Sequence, residues 1–182
     1  MRFLILSFTI LTFSCNQMPQ PPLEWDSQNQ FGIVIHGGAG TILKEKMTPA
    51  MDQAYRSILA KAITVGHTIL KNGGTSQEAV EKTIRVMEDS PLFNAGKGAV
   101  LTAQGKASLD ASFMEGKTLN AGAISGVSHI KNPISSAIAV MEQSPHVMLS
   151  GQGADEFAKS LGMEAVPNSY FCLLYTSDAA DE

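Results

Sequence analysis

The stretch FGIVIHGGAG, residues 31–40, joins a short apolar run to a glycine-rich turn. Ile33, Val34 and Ile35 are β-branched, and three such residues in succession predict a short buried strand. His36 then leads into glycines, whose missing Cβ lets backbone N–H groups come close to a ligand. Such a turn can stabilise an oxyanion, although a glycine turn after a strand is more often only a turn.

Capping signals downstream of this turn predict two consecutive helices. Thr48 as N-cap and Pro49 in the first turn start one helix, and Thr75 with Glu78 forms a capping box that starts the next. Apolar residues recur every three to four positions after each start, so each helix is expected to bury one face. The second helix is expected to end before Pro91, because proline cannot continue a helix.

Strand patterns cluster in the middle of the chain. In residues 107–114, Leu109, Ala111 and Phe113 alternate with polar residues, which predicts one buried face and an exposed Asp110. The other predicted elements are strands at 99–102, 121–127 and 146–149, a helix opened by Asn132-Pro133 and a helix at 154–161. Strands clustered between helical blocks predict an α+β layered domain rather than a regular β-α-β alternation.

Composition and charge narrow the class of protein. The chain has 182 residues, which suits one domain or part of one. Hydrophobic residues make up 44% and charged residues 16%, which is enough apolar material for a packed core. The net charge of −4 without a basic cluster argues against a nucleic-acid surface. The four histidines stand far apart with no H-E-x-x-H pair, which argues against a zinc hydrolase site.

The two ends differ in composition from the body of the chain. Residues 1–15 predict an export signal of the bacterial lipoprotein type ending at Cys15, which would carry the lipid. An ordinary signal peptide and a buried N-terminal strand are the alternatives. Residues 16–30, rich in proline and amides, predict a flexible tether. Residues 172–182 can be translated back into the adapter of transposase-based sequencing libraries, so we expect them not to be native. The folded domain is therefore expected at 31–171.

Other glycine-based chemistries fit the sequence less well. The P-loop pattern G-x-x-x-x-G-K-[ST] does not occur, which argues against a phosphate-binding loop of that kind. A His-Gly-Gly stretch also occurs in esterases, but their G-x-S-x-G motif is missing, and the similar segment at 122–126 has the wrong spacing.

The loop at 87–97 has turns whose carbonyls can bind a hard alkali cation; an ordered glycine loop without a cation is the alternative.

Several stretches of the chain together resemble one enzyme family. They are residues 31–40, 90–100, 109–111, 120–123 and 140–149. In this order and spacing they closely resemble the isoaspartyl peptidase/L-asparaginase family, the plant-type asparaginases, which are N-terminal nucleophile hydrolases. The resemblance covers residues 31–171. The loop Asn-Ala-Gly-x-Gly-Ala-Val at 94–100 is more similar to the asparaginase branch than to the glycosylasparaginases.

The resemblance implies an αββα sandwich of which this chain holds only the N-terminal half. Family precursors cut themselves before a threonine, and the freed threonine hydrolyses L-asparagine to aspartate and ammonia, or cleaves β-aspartyl (isoaspartyl) dipeptides. The α-amino group of that threonine can take the proton of its own hydroxyl. The family places the nucleophile and the substrate-binding residues downstream of Phe171, so the resemblance predicts an α-subunit fragment that contains no catalytic residue and is inactive alone.

The resemblance also assigns supporting roles to residues of this half. Those expected to shape or contact the site are His36, Gly37, Gly38, Gly40, Asn94 and Gly96. The backbone carbonyls expected to form a sodium loop are those of Met87, Glu88, Ser90, Phe93, Ala95 and Lys97. The resemblance implies no organic cofactor, and it allows a structural sodium ion.

Partners and location follow from the same resemblance and from the export signal. The expected partners are a small-molecule substrate, the chain's own β subunit and a second αβ unit in a dimer. No nucleic-acid partner is expected, and membrane contact is expected only through the lipid anchor. The expected location is the bacterial cell envelope, periplasmic or lipid-anchored. Two alternatives remain open, a non-catalytic envelope-anchored binding module and a glycosylasparaginase-like hydrolase.

Overall fold

Helices and strands alternate irregularly along the chain in the computed structural model, which describes residues 31–38 and 44–171. The helices are α1 (Pro49–Lys71), α2 (Ser76–Glu88), α3 (Pro133–Gln143) and α4 (Gly151–Ser160). The strands are β1 (Leu109–Met114), β2 (Ala121–Val127) and β3 (Met148–Ser150), and short 3-10 turns lie at Lys44–Lys46, Gly96–Gly98 and Asn168–Tyr170. The predicted mixture of helices with a small sheet is therefore confirmed.

Side-chain caps start the first two helices, as the sequence predicted. The backbone N–H of Met51 donates to Oγ1 of Thr48 at 3.2 Å, and the N–H of Glu78 donates to Oγ1 of Thr75 at 3.1 Å. These bonds satisfy N–H groups that have no partner inside a helix. The two helices pack closely at Gly66, where an added Cβ would clash with the side chain of Thr83 on α2. Together α1 and α2 form a helical layer.

The three strands form a mixed sheet in the order β1-β2-β3, with β1 antiparallel and β3 parallel to β2. Leu109 and Phe113 are buried on one face of β1, whereas Asp110 is exposed on the other, as the alternation predicted. Helix α3 approaches the buried face so closely that a Cβ at Gly122 would clash with the carbonyl oxygen of Ala137. The glycine content of β2 therefore allows the helix to pack against the sheet.

A continuous apolar core joins the sheet to α3, α4 and the last described turn. Its buried residues are Ala99, Ala107, Leu109, Ile124, Val127, Ala137, Val140, Ala154 and Phe171. Asn168 fixes that turn, because its Nδ2 donates to the carbonyls of Ala107 and Ser128 and its Oδ1 accepts from the N–H of Ala107. Residues up to Phe171 thus belong to the packed domain.

The predicted strand at 31–35 is wrong for the sheet that the structure describes. A strand is completed by hydrogen bonds to a neighbouring strand, and residues 31–35 pair with none of β1, β2 or β3. The segment instead lies beside α1 and α2, with Ile33 over Gly66 and Val34 94% exposed. The β-branched pattern indicated an extended apolar segment but not its hydrogen-bonding partner.

Smaller differences concern element boundaries and length. The run at 99–102 forms only a single bridge, from Leu101 to Ala107, and β3 begins at Met148 rather than at 146.

Within the ranges 31–38 and 44–171, no helix is both long and apolar enough to cross a bilayer. The predicted signal at 1–15 with Cys15, the tether at 16–30, Gly40 and the tail at 172–182 lie outside the described residues.

Candidate functional site

The loop that follows α2 is folded tightly against the end of that helix. The N–H of Ser90 donates to the carbonyl of Met87 at 3.1 Å, and the N–H of Gly98 donates to the carbonyl of Ala95 at 3.2 Å. Gly96 has a φ of +52°, and a Cβ there would clash with the carbonyl oxygen of Glu88. Only glycine combines this left-handed backbone with so close an approach.

The carbonyl groups of this loop form an oxygen-rich surface. A Cβ at Gly98 would clash with the carbonyl oxygen of Phe93 and lie 2.6 Å from that of Pro91, so these carbonyls crowd around the glycine. Six residues carry the carbonyl oxygens predicted as cation ligands, and they lie in the last turn of α2 and in this loop: Met87, Glu88, Ser90, Phe93, Ala95 and Lys97. The carbonyls of Met87, Phe93 and Ala95 accept the backbone N–H groups of Ser90, Ala95 and Gly98. Backbone oxygens are ligands that hard alkali cations accept.

Side chains in the described ranges do not add a second kind of metal site. No group of three or more His, Cys, Asp or Glu side chains there could hold a metal ion.

Asn94 lies at the surface of the same loop. Its Oδ1 accepts the N–H of Val100 at 3.0 Å, which fixes the orientation of the amide. The Nδ2 of Asn94 has no hydrogen-bond partner among the described residues, so it is available to donate to a ligand. An amide donor held in this way can bind a carbonyl or hydroxyl oxygen.

The glycine turn after residue 35 comes close to this loop. The N–H of Gly38 donates to Nδ1 of His36 at 3.1 Å, and Gly38 has a φ of +110°. A Cβ at Gly37 would lie 3.5 Å from the ring of Phe93, which is buried and stacks edge-on against Tyr55 of α1 at a centroid distance of 5.7 Å. The structure thus brings the two predicted site stretches together around Phe93.

Sequence reasoning missed the side chain of Glu88 and considered only its carbonyl. The side chain is 3% exposed, and its Oε1 accepts the N–H of Ile134 at 2.9 Å, whereas its Oε2 has no partner among the described residues. Burial raises the pKa of Glu88 to about 7. The only sequence signal was weak, because an acidic residue in the last turn of a helix is unfavourable beside the helix dipole but does not identify a partner.

A second polar cluster lies apart from this loop. The carboxylate of Asp155, buried on α4, accepts the backbone N–H groups of Ser128 and His129, both at 3.1 Å. Nδ1 of His129 lies 3.1 Å from Oγ of Ser128 and 3.3 Å from Oδ2 of Asp155. Both contacts use the same ring nitrogen, so this is not the geometry of a Ser-His-Asp triad, in which each ring nitrogen has its own partner.

Comparison with known proteins identifies the family. The Asparaginase family model matches residues 29–180. A putative isoaspartyl peptidase/L-asparaginase of Dictyostelium discoideum is 46% identical over 139 residues, which cover 76% of this chain and 40% of that protein. The isoaspartyl peptidase of Escherichia coli is 45% identical over 139 residues, covering 76% of this chain and 43% of that protein.

An archaeal relative gives the same result. The plant-type L-asparaginase of Thermococcus kodakarensis is 48% identical over 132 residues, which cover 72% of this chain and 42% of that protein. The chain therefore spans about two fifths of the length of the curated relatives it matches. With a family model matching most of its length, the chain belongs to the asparaginase family that includes isoaspartyl peptidases and plant-type L-asparaginases, as its sequence predicted.

Proposed function

We propose that this chain is the N-terminal part of an amidohydrolase that acts on L-asparagine, on β-aspartyl dipeptides, or on both. The observation that carries the proposal is the approach of the turn at 36–38 to the loop that bears Asn94, with Phe93 between them. The loop offers Nδ2 of Asn94 as an amide donor, whereas the N–H of Gly38 in the turn already donates to Nδ1 of His36. An amide donor suits the oxygen of an amide carbonyl that becomes an oxyanion during acyl transfer.

The nucleophile in this proposal comes from sequence beyond this chain. The chain has two Gly-Thr pairs, at 40–41 and 74–75. Oγ1 of Thr75 accepts the N–H of Glu78 as the cap of α2, which suits a structural role rather than self-cleavage. A threonine freed by self-cleavage would attack the side-chain carbonyl of the substrate, its own amine taking the hydroxyl proton, and form an acyl-enzyme that water then hydrolyses. Without that threonine the fragment is inactive.

The open face of the sheet supports the proposed αββα arrangement. Within the described residues, helices α3 and α4 pack on one face of the sheet. The other face presents Ser112 and Met114 of β1 and Met148 of β3, all exposed. Exposed apolar side chains on the face of a sheet favour packing against another layer. We assign that second layer to the β subunit of the same precursor, and we further propose a dimer of such αβ units.

The loop at 89–98 is proposed to bind a structural sodium ion. The crowding of carbonyls around Gly96 and Gly98 supports this proposal, because a cation would offset the repulsion between their dipoles. The ion would stabilise the loop that positions Asn94, and the carbonyls of the chain would hold it. No organic cofactor is part of this proposal.

The chain's ends belong to the proposal as well. We propose export to the bacterial envelope with lipidation at Cys15, a tether over 16–30, and a non-native tail at 172–182. Metabolic labelling with a radioactive fatty acid tests the anchor in a bacterial host. Label is expected in the wild type and absent from Cys15→Ser; equal label in both would contradict the assignment.

A chimera tests the proposed activity directly. Residues 31–171 are joined to the part of the E. coli isoaspartyl peptidase that follows its matched region. We expect the chimera to cleave itself into two chains and to release ammonia from L-asparagine or aspartate from a β-aspartyl dipeptide. A chimera with alanine in place of the cleavage-site threonine is the matched control. Residues 31–171 alone are expected to give no turnover; turnover above blank, or a folded but inert chimera, would contradict the proposal.

A further inference from the structure

The N-terminus of α3 is capped by a residue from another helix. Asn132 occupies the N-cap position but makes no capping hydrogen bond, and Pro133 has no N–H to satisfy. The first N–H that needs a partner, that of Ile134, donates to Oε1 of Glu88 at 2.9 Å. A carboxyl oxygen at this place satisfies an N–H that would otherwise be unpaired at the start of the helix.

The amide that would ordinarily cap the helix is used elsewhere. Nδ2 of Asn132 donates to Oδ1 of Asp89 at 3.1 Å, and both Asn132 and Glu88 are buried. The two bonds join consecutive residues at the start of the loop, Glu88 and Asp89, to the start of α3. A loop end held at two points has fewer orientations available than one held by its backbone alone.

Glu88 also contacts the far side of the loop through its backbone. The backbone of Gly96 lies directly against the carbonyl of Glu88, since an added Cβ would clash with that oxygen. Gly96 is two residues beyond Asn94. Glu88 therefore contacts α3 through its side chain and Gly96, near Asn94, through its carbonyl group.

Helix α3 is a rigid reference for this loop. Its buried residues are Pro133, Ile134, Ser136, Ala137, Ile138, Ala139 and Val140. The backbone of β2 at Gly122 comes within contact of the helix backbone at Ala137. A helix packed in this way cannot shift without disturbing the sheet, because protein interiors are closely packed.

We propose that Glu88 is a positioning residue that holds the loop at 89–98, and with it Asn94, by capping α3. The effect of Glu88 on activity rests on the proposed function, in which Asn94 belongs to the site. Its effect on the order of the loop does not depend on that function. Glu81 offers a matched comparison, because its Oε1 accepts from Oγ of Ser135 at 2.5 Å and so joins the same two helices two turns from the loop.

Hydrogen exchange of the full 182-residue chain, read by mass spectrometry, tests the proposal. Glu88→Met removes the acceptor at similar volume, Glu88→Gln keeps an acceptor, and Glu81→Met removes the comparison bond. We expect backbone amides of the loop at 89–98 to exchange about tenfold faster in Glu88→Met, as the loss of one buried hydrogen bond implies. Loop exchange in Glu88→Gln and Glu81→Met is expected to equal that of the wild type.

Several outcomes would overturn the proposal. An unchanged exchange rate of the loop amides in Glu88→Met would reject the proposal. An equal increase in the exchange rates of the loop and of α1 would also reject it, because a general increase indicates a purely structural role. If Glu88→Met fails to fold, Glu88→Asp replaces it, since its shorter side chain does not reach Ile134; equal loop exchange in Glu88→Asp and Glu88→Gln then rejects the proposal. The proposed function and the role of Glu88 can fail separately. If the chimera is inert but the loop exchanges faster in Glu88→Met than in Glu88→Gln and Glu81→Met, the proposed function is rejected and the role of Glu88 stands.

Discussion

Two regions of this chain differ in how completely they bury their apolar residues. In the sheet region, which comprises β1, β2, β3, α3 and α4, a continuous core reaches Phe171, whose ring is fully buried. The second region, called the strap region here, comprises residues 31–38, α1 and α2. It contains a cavity of about 190 Å3 that is lined by residues including Ile33 and Ile84. The side chain of Val34 in this region is 94% exposed. The core between the sheet, α3 and α4 is filled, whereas the strap region contains a cavity.

Like the exposed face of the sheet, the strap region is a place where we expect the rest of a longer protein to pack. The extended segment at 31–35 has the composition of a strand, but no described strand lies beside it. The adjoining cavity is lined by Thr83, whose buried hydroxyl has no partner among residues 31–38 and 44–171. Apolar surface and unpaired polar groups both cost free energy when left in this state. Substitutions are therefore expected to destabilise the sheet region strongly and the strap region weakly.

The largest expected effect is the loss of the Phe171 ring. Phe171→Ala should lower the free energy of unfolding by about 4 kcal/mol, because it removes a fully buried aromatic side chain and leaves a cavity. Val34→Ala is the comparison in the strap region and should change it by less than about 0.5 kcal/mol. Urea unfolding measures both. Similar losses in the two variants would remove the distinction between the regions.

The next effect concerns Glu88, at the junction of the two regions. Its pKa is raised from 4.5 to about 7 by burial, so the native state keeps a proton that the unfolded chain releases. The free energy of unfolding should therefore fall as the pH rises from about 4.5 to about 7, by an amount on the order of 3 kcal/mol, and level off above that.

The measurement compares the wild type with Glu88→Gln by urea unfolding across this pH range, in sodium-free buffer. The variant lacks the titrating group and should not show this component. A parallel pH dependence in both proteins would place the pKa of Glu88 near its ordinary value.

A smaller effect tests the close contact between β2 and α3. Gly122→Ala should lower the free energy of unfolding by about 2 kcal/mol, because the added Cβ would lie 2.5 Å from the backbone nitrogen of Met141. Gly32→Ala is the control in the strap region, where an added Cβ meets nothing within 4 Å. Thermal unfolding compares the two. Equal melting temperatures would show that α3 can move away from the sheet.

The smallest effect has the opposite sign. Thr83→Val should raise the free energy of unfolding by about 1 kcal/mol, because it removes a buried hydroxyl that has no partner among the described residues. Thr68→Val at an exposed position of α1 is the control and should be near neutral. Urea unfolding distinguishes the two variants. A destabilised Thr83→Val would mean that the hydroxyl makes a bond in solution.

Local signals predicted the elements well, and non-local contacts account for what the sequence did not reveal. Thr48 and Thr75 mark their helix starts because a cap and its partner lie three residues apart. The alternation in β1 is likewise visible over a few residues. The partner of Glu88 is 46 residues away, so no local pattern could reveal it.

The same reasoning applies to the candidate site. The sequence predicted that the turn at 36–38 and the loop with Asn94 belong together, but only by resemblance to a family. Their physical link is the contact between Gly37 and the ring of Phe93, across more than fifty residues of chain. The open strap region explains the wrong strand at 31–35, because composition predicts an extended segment while pairing depends on a neighbour.

The gene sequence beyond codon 171 decides whether this chain is one part of a self-cleaving hydrolase. We expect the reading frame to continue without the present residues 172–182 and to reach a glycine-threonine pair followed by an apolar strand, which would supply the nucleophile. A stop codon directly after codon 171, or a continuation without such a threonine, would contradict it.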